Sequence, residues 1–184
     1  MECADIANAA LVVIDVQRGL DAPELGERNN PDAEANMLTL IEWWREQSRP
    51  VIHVKHNSTE PNSTLQPDLP GNEFKAGFAP LPNEKLFEKT VNSAFIGTTL
   101  EDYLLGENIK DVIIVGLTTD HCVSTSVRMA ANLGFRVWLV GDATAAFERK
   151  YNGVTLTGEQ IHTANLASLH NEFCTVVSVD TLLG

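Results

Sequence analysis

The chain has 184 residues, 43% of them hydrophobic, and 25 acidic against 13 basic side chains give a formal net charge of −12. A chain of this size buries roughly 70% of its unfolded surface, so a single domain over residues 1–184 with a sizeable core is expected. The acidic balance repels phosphate backbones, no apolar run approaches the roughly 20 residues that span a bilayer, and "MECADIANAALVVIDVQ" lacks the basic flank of a signal peptide, so a soluble cytoplasmic protein with a small-molecule ligand is expected, with no nucleic-acid or membrane partner.

In chain order, "ALVVID" (10–15) reads as a strand buried on both faces and ends on Asp15. A helix follows over 32–48, with Asp32 as its cap after Pro31. Its adjacent Trp43 and Trp44 should divide between the sheet and an interface. The next strand, "PVIHVK" (50–55), carries His53, expected within the sheet. His56, three positions on, points to the opposite face and toward a cleft entrance. Residues 56–85 hold most of the prolines and show no periodicity, as a functional or mobile connection would.

The strand "KLFEKT" (85–90) ends near Lys89, and a helix is expected over 98–109. The strand "DVIIVG" (111–116) leads into a helix over 120–134 that starts around Cys122 and closes at Gly134. A strand over 136–141 closing at Gly141, a helix over 157–173 and a strand over 175–180 complete the pattern. In that last helix His162 and His170 read as surface or interface residues. Strands alternating with helices imply a parallel sheet with right-handed crossovers, and no repeat or linker divides the chain.

Ligands of such sheets bind beyond the carboxyl ends of the strands, where Asp15, Lys89 and Cys122 fall. A thiol in the first turn of a helix is a candidate nucleophile, Asp15 can take its proton, and Lys89 can orient the carboxylate. Backbone N–H groups of Thr118 and Cys122 could hold an oxyanion. Singly, each residue has a plain alternative: Asp15 in a turn, Lys89 in solvent, Cys122 in the core. Cys3 reads as a terminal bystander and Cys174 as a buried apolar residue. His121 adjoins Cys122 but diverges from it by about 100° on a helix, which favours a structural or contact role. Phe95 and Phe147 are either pocket walls or core, and Asn92 either a substrate contact or a helix cap.

Three pieces, "VVIDVQ", "EKTVNSAFIGTTLEDYL" and "VGLTTDHCVSTSVRMAANLGFRVWLVGDATAAF", resemble the isochorismatase-like cysteine hydrolases in order and spacing. The resemblance implies an α/β fold: a three-layer αβα, Rossmann-like arrangement around a six-stranded parallel sheet ordered 3-2-1-4-5-6. It also implies a catalytic triad of Asp15, Lys89 and Cys122 that hydrolyses small non-peptide amide or ureido compounds through a thioester. A cis peptide between Leu117 and Thr118, turning N–H groups toward the oxyanion, belongs to the same pattern. Gln17, His56, Asn92, Phe95 and Phe147 are the candidate substrate contacts.

Nicotinamidases of this superfamily carry an aspartate and histidine one residue apart, with a further histidine beyond. The present chain has His53 and His56 without that aspartate, so no metal and no cofactor is expected. Relatives commonly form dimers or tetramers, which implies a homo-oligomer. Two other readings stay open. One is vinyl ether hydrolysis of the isochorismatase type, with Asp15 as acid. The other is a non-catalytic Rossmann-like binding or assembly protein, against which stands the lack of a G-x-G-x-x-G after the first strand. A redox role would want a C-x-x-C, which is missing.

Overall fold

A computed structural model describes residues 8–184, so Cys3 lies outside the described residues. Every residue of β1 (Ala10–Ile14) and β4 (Asp111–Leu117) is buried, as their unbroken apolar runs demand. With β2 (Val51–His56), β3 (Lys85–Lys89), β5 (Arg136–Ala145) and β8 (Thr175–Val177) they form a parallel six-stranded sheet in the order β3-β2-β1-β4-β5-β8. This is the expected strand arrangement. Its outer strand counts as the eighth because a small hairpin, β6 (Arg149–Tyr151) and β7 (Val154–Leu156), intervenes.

Alternation along β1 builds the two outer layers. Leu11 and Val13 face α1 (Ala33–Glu46) and α5 (Val179–Leu183), whose Met37, Leu40, Trp44 and Leu182 complete one core. Ala10, Val12 and Ile14 face the opposite way, onto α2 (Leu100–Gly106), α3 (Ser124–Asn132) and α4 (Gly158–Leu169). Trp44 is fully buried and donates to the Ala9 carbonyl at 3.0 Å, while Trp43 is half-buried beneath the Arg49 guanidinium. Among the described residues no helix is long and apolar enough to cross a membrane.

Several boundaries differ from the periodicity. Asp32 occupies the cap position of α1, but its side chain makes no capping hydrogen bond. Gly141 does not close β5, which continues to Ala145 through a register break opposite β4. There Asn30 Nδ2 bonds the Gly141 and Thr144 carbonyls, satisfying groups that the irregular ladder leaves out. The last strand stops at Val177 because Ser178 accepts from Thr181 N and starts α5 instead. The hairpin had a local signal, Asn152-Gly153, whose positive φ values of 49° and 76° suit a two-residue turn.

Residues 57–84 are not a loose connection. Asn72 is buried and its Nδ2 bonds the His56 and Leu65 carbonyls and Asn57 Oδ1, while Phe78 enters the first core. One glycine is dictated by packing near the site. A Cβ on Gly116, whose φ is +130°, would lie 2.1 Å from the Ile14 carbonyl oxygen.

Candidate active site

Three strand ends converge. Asp15 directly follows β1 in the left-handed region, φ +53°, with its N–H on the Val54 carbonyl at 2.9 Å. Such a backbone is uncommon for a residue with a Cβ and is found where the surroundings over-determine it. Lys89 ends β3, and its register partner on β2 is His56. Cys122 lies in a single π-helical turn, Thr119–Val123, between β4 and α3. The Leu117–Thr118 peptide bond entering that turn is cis.

The centre of the cluster is the Lys89 ammonium, which is excluded from solvent. It donates to Asp15 Oδ2 at 2.6 Å, to Cys122 Sγ at 3.3 Å, and lies 3.0 Å from His56 Nδ1. An ammonium has three protons, and these contacts use all of them. Asp15, His56 and Cys122 also form a group with metal-type donors, but each bonds the Lys89 cation at the point where they converge.

Burial raises the Asp15 carboxyl above the usual carboxylate range, against the pull of the Lys89 charge and of hydrogen bonds from Lys89 and Cys122. Its Oδ1 has no hydrogen-bond partner of regular geometry. Burial, and then the Asp15 charge, push the Cys122 thiol up. Burial and the neighbouring Lys89 charge lower His56, which favours the neutral ring as acceptor toward Lys89.

Over this cluster opens a cavity of about 220 Å³. Asp15, His56, Thr118 and Cys122 form its polar floor, and the Thr118 hydroxyl is buried without a partner. Leu20, Leu25, Leu65 and Phe147 wall it, and Asn92, His121 and Arg149 stand among its polar lining. Asn92 Oδ1 also accepts from the thiol at 3.9 Å. A thiol, a carboxylate and a cation at one small concave site suit acyl transfer.

The family model described as Isochorismatase domain matches residues 9–181. The chain belongs to the isochorismatase family. It is 45% identical over 175 residues to the isochorismatase family protein YrdC of Bacillus subtilis (strain 168), covering 95% of this chain and 94% of that protein. Similarity to Nicotinamidase 3 of Arabidopsis thaliana is 31% over 188 residues, 95% of this chain and 86% of that one. The crystal structure of an isochorismatase-family hydrolase from Chromobacterium violaceum ATCC 12472 superimposes with a TM-score of 0.93 at 38% identity, over 96% of this chain and 92% of that one.

Within this isochorismatase-family hydrolase, the residues singled out in the sequence separate into those at the cavity and those behind it. His56, Asn92 and Phe147 line it together with Asp15, Thr118 and Cys122. Gln17 and Phe95 are corrections. Gln17 is fully buried, and its amide is spent on backbone: Nε2 donates to the His56 and Asn72 carbonyls, and Oε1 accepts from His56 N. It clamps the strand end and does not line the cavity. Phe95 stacks on Phe135 in the second core, 6.0 Å between ring centroids.

The other histidines divide between expected and unexpected places. His53 is buried within β2 as expected and bonds Glu84 at 2.9 Å. His121, exposed, lines the cavity and lies 3.4 Å from Asp120 Oδ2. His162 is not a surface residue: it is buried on α4, with Nδ1 2.8 Å from the Thr119 hydroxyl in the cysteine turn. Cys174 is buried in the second core. Leu20, Leu25, Leu65 and Arg149 carried no sequence signal, because segments far apart in the chain bring them to one cavity.

Proposed function

We propose that this isochorismatase-family hydrolase cleaves small non-peptide amides through an acyl-thioester on Cys122. The observation that carries the reading is the single ammonium, Lys89, bonded at once to Asp15 Oδ2 and Cys122 Sγ. The similarity to a nicotinamidase supports an amide as the scissile group.

Asp15 Oδ1, which has no hydrogen-bond partner of regular geometry, takes the thiol proton. The Asp15 charge is one cause of the raised thiol, so moving the proton onto Asp15 removes that opposition as the thiolate forms. Lys89 then faces the thiolate as a fixed cation. Cys122 Sγ attacks the carbonyl carbon, and the N–H groups of Thr118 and Cys122 receive the oxyanion. As the C–N bond breaks, Asp15 gives its proton to the departing ammonia or amine. Water, losing a proton to Asp15, then attacks the thioester; the acid departs and the thiolate recovers its proton. A carboxyl raised by burial above its ordinary range suits both halves, since it is a stronger proton acceptor than a free one and can still return the proton to the leaving group.

The same raised carboxyl supports a second reading, in which Asp15 protonates a vinyl ether and Cys122 is dispensable. The test is ammonia release from a panel of primary amides, ureido compounds and nicotinamide, with intact mass to catch acylation. Cys122→Ala should abolish both release and adduct. Turnover of a vinyl ether with Cys122→Ala still active would replace the thioester reading by the acid one.

A further inference from the structure

We infer that the cavity over Cys122 selects substrates whose acyl portion is uncharged and apolar, and rejects those bearing a carboxylate. The amide part of this inference rests on the proposed thioester chemistry, whereas the charge selection rests on the cavity alone.

One cation, Lys89, lies beneath the cavity floor and one, Arg149, in its lining, and among the described residues each faces a carboxylate. Lys89 directs its three protons at Asp15, His56 and Cys122, which leaves none for a ligand. Arg149 reaches the cavity from β6, but its Nε and Nη2 each lie 2.9 Å from Asp120 Oδ2. Its Nη1 is 3.3 Å from the Glu148 carbonyl. The two pairs cancel, Asp15 with Lys89 and Asp120 with Arg149. His121, the remaining ionisable side chain of the lining, faces the same Asp120 oxygen. An anion approaching Arg149 therefore competes with the Asp120 carboxylate that the guanidinium already holds. Burial and Lys89 also hold His56 toward its neutral form.

What the cavity offers instead is carbon. Leu20, Leu25, Leu65 and Phe147 enclose about 220 Å³, below the range of about 300–1,000 Å³ that accommodates drug-sized ligands. A substrate carboxylate seated against these leucines would lose water and gain no cation that lacks a carboxylate partner. Asn92 and the Thr118 hydroxyl provide neutral polar contacts that suit a carboxamide.

Alkylation of Cys122 reads the charge selection without any turnover. Iodoacetamide and iodoacetate differ in charge; with either, the thiolate forms an S–C bond and iodide departs. The ratio of their rates at Cys122, followed by mass and divided by the ratio for a small free thiol, should exceed about 10-fold in favour of iodoacetamide. Asp120→Asn removes the partner of Arg149 and should bring that quotient down toward one. A quotient near or below one in the unaltered protein overturns the inference.

Matched amides then separate the inference from the reaction on which it builds. Pentanamide should surpass succinamate, its carboxylate-bearing counterpart, by about 100-fold or more in kcat/KM. A preference for succinamate overturns charge selection and leaves amide hydrolysis standing. With neither amide hydrolysed and the alkylation quotient still high, the charge selection stands and the amide reading falls.

Discussion

Lys89 Nζ lies 2.6 Å from Asp15 Oδ2, joining residues 74 positions apart, and both side chains are shielded from solvent. Removing one member of a buried pair leaves the other charge uncompensated, at a cost of about 3–5 kcal/mol. Lys89→Met should therefore destabilise the fold by about that amount in urea titrations and abolish turnover. Adding Asp15→Asn should recover part of the stability and none of the activity. A Lys89→Met protein of unchanged stability would contradict the pairing.

The acid limb of the rate profile should report Asp15. Its carboxyl is raised from 3.8 by burial, and the proposed chemistry needs it ionised at rest, so kcat/KM should fall as pH drops through a midpoint above 3.8. The stability contribution of the same group has the opposite sign. A carboxyl raised in the folded state favours folding most below its unfolded pKa, and that contribution is lost as pH rises through the folded value. An acid limb with its midpoint at or below 3.8 would remove Asp15 from the role.

Glu34 behaves in the reverse way. Arg28 bonds it at 2.6 and 2.7 Å and Lys75 at 2.6 Å, and these cations hold it at about 2 against 4.5 unperturbed. Its stabilisation is present above 4.5 and is lost as pH falls toward about 2. After discounting for its partial exposure, the loss amounts to about 2 kcal/mol. Glu34→Gln should flatten the stability profile across that window, measured by thermal melting at fixed ionic strength.

Gly116→Ala should cost more than about 3 kcal/mol, since the new methyl would meet backbone that cannot swing aside. The clash distance is 2.1 Å to the Ile14 carbonyl oxygen. Soluble yield and urea midpoint check this, and a midpoint like that of the unaltered protein would contradict it.

Gln17→Leu should lower stability by about 2 kcal/mol or more, because it strands the His56 N–H and the His56 and Asn72 carbonyls in the interior. Since Gln17 does not line the cavity, KM of the remaining active protein should stay within about twofold. A large rise in KM with stability intact would return Gln17 to the substrate contacts.

The sequence and the structure agree where information is local. Runs such as "DVIIV" must be strands covered on both faces, and the spacing of Met37, Leu40, Ile41 and Trp44 makes α1 a helix with one buried face. They part where a residue's neighbours come from elsewhere in the chain. Phe147 and Phe95 look equivalent as sequence, yet one walls the cavity and the other stacks on Phe135. His162 reads as a surface residue until Thr119 and Asn30 are folded against it.

By itself, the sequence determined the alternation of buried strands and helices and the three residue types, carboxylate, amine and thiol, standing at strand ends. Periodicity and turn chemistry act over a few residues and survive in one dimension. Tertiary structure alone decided that Lys89 spends every proton, that Gln17 clamps backbone, that Asp120 engages Arg149 and that leucines of separate loops wall one cavity. Those are relations among groups tens of residues apart, and their strength depends on distance and on exclusion of water, neither of which exists until the chain is folded.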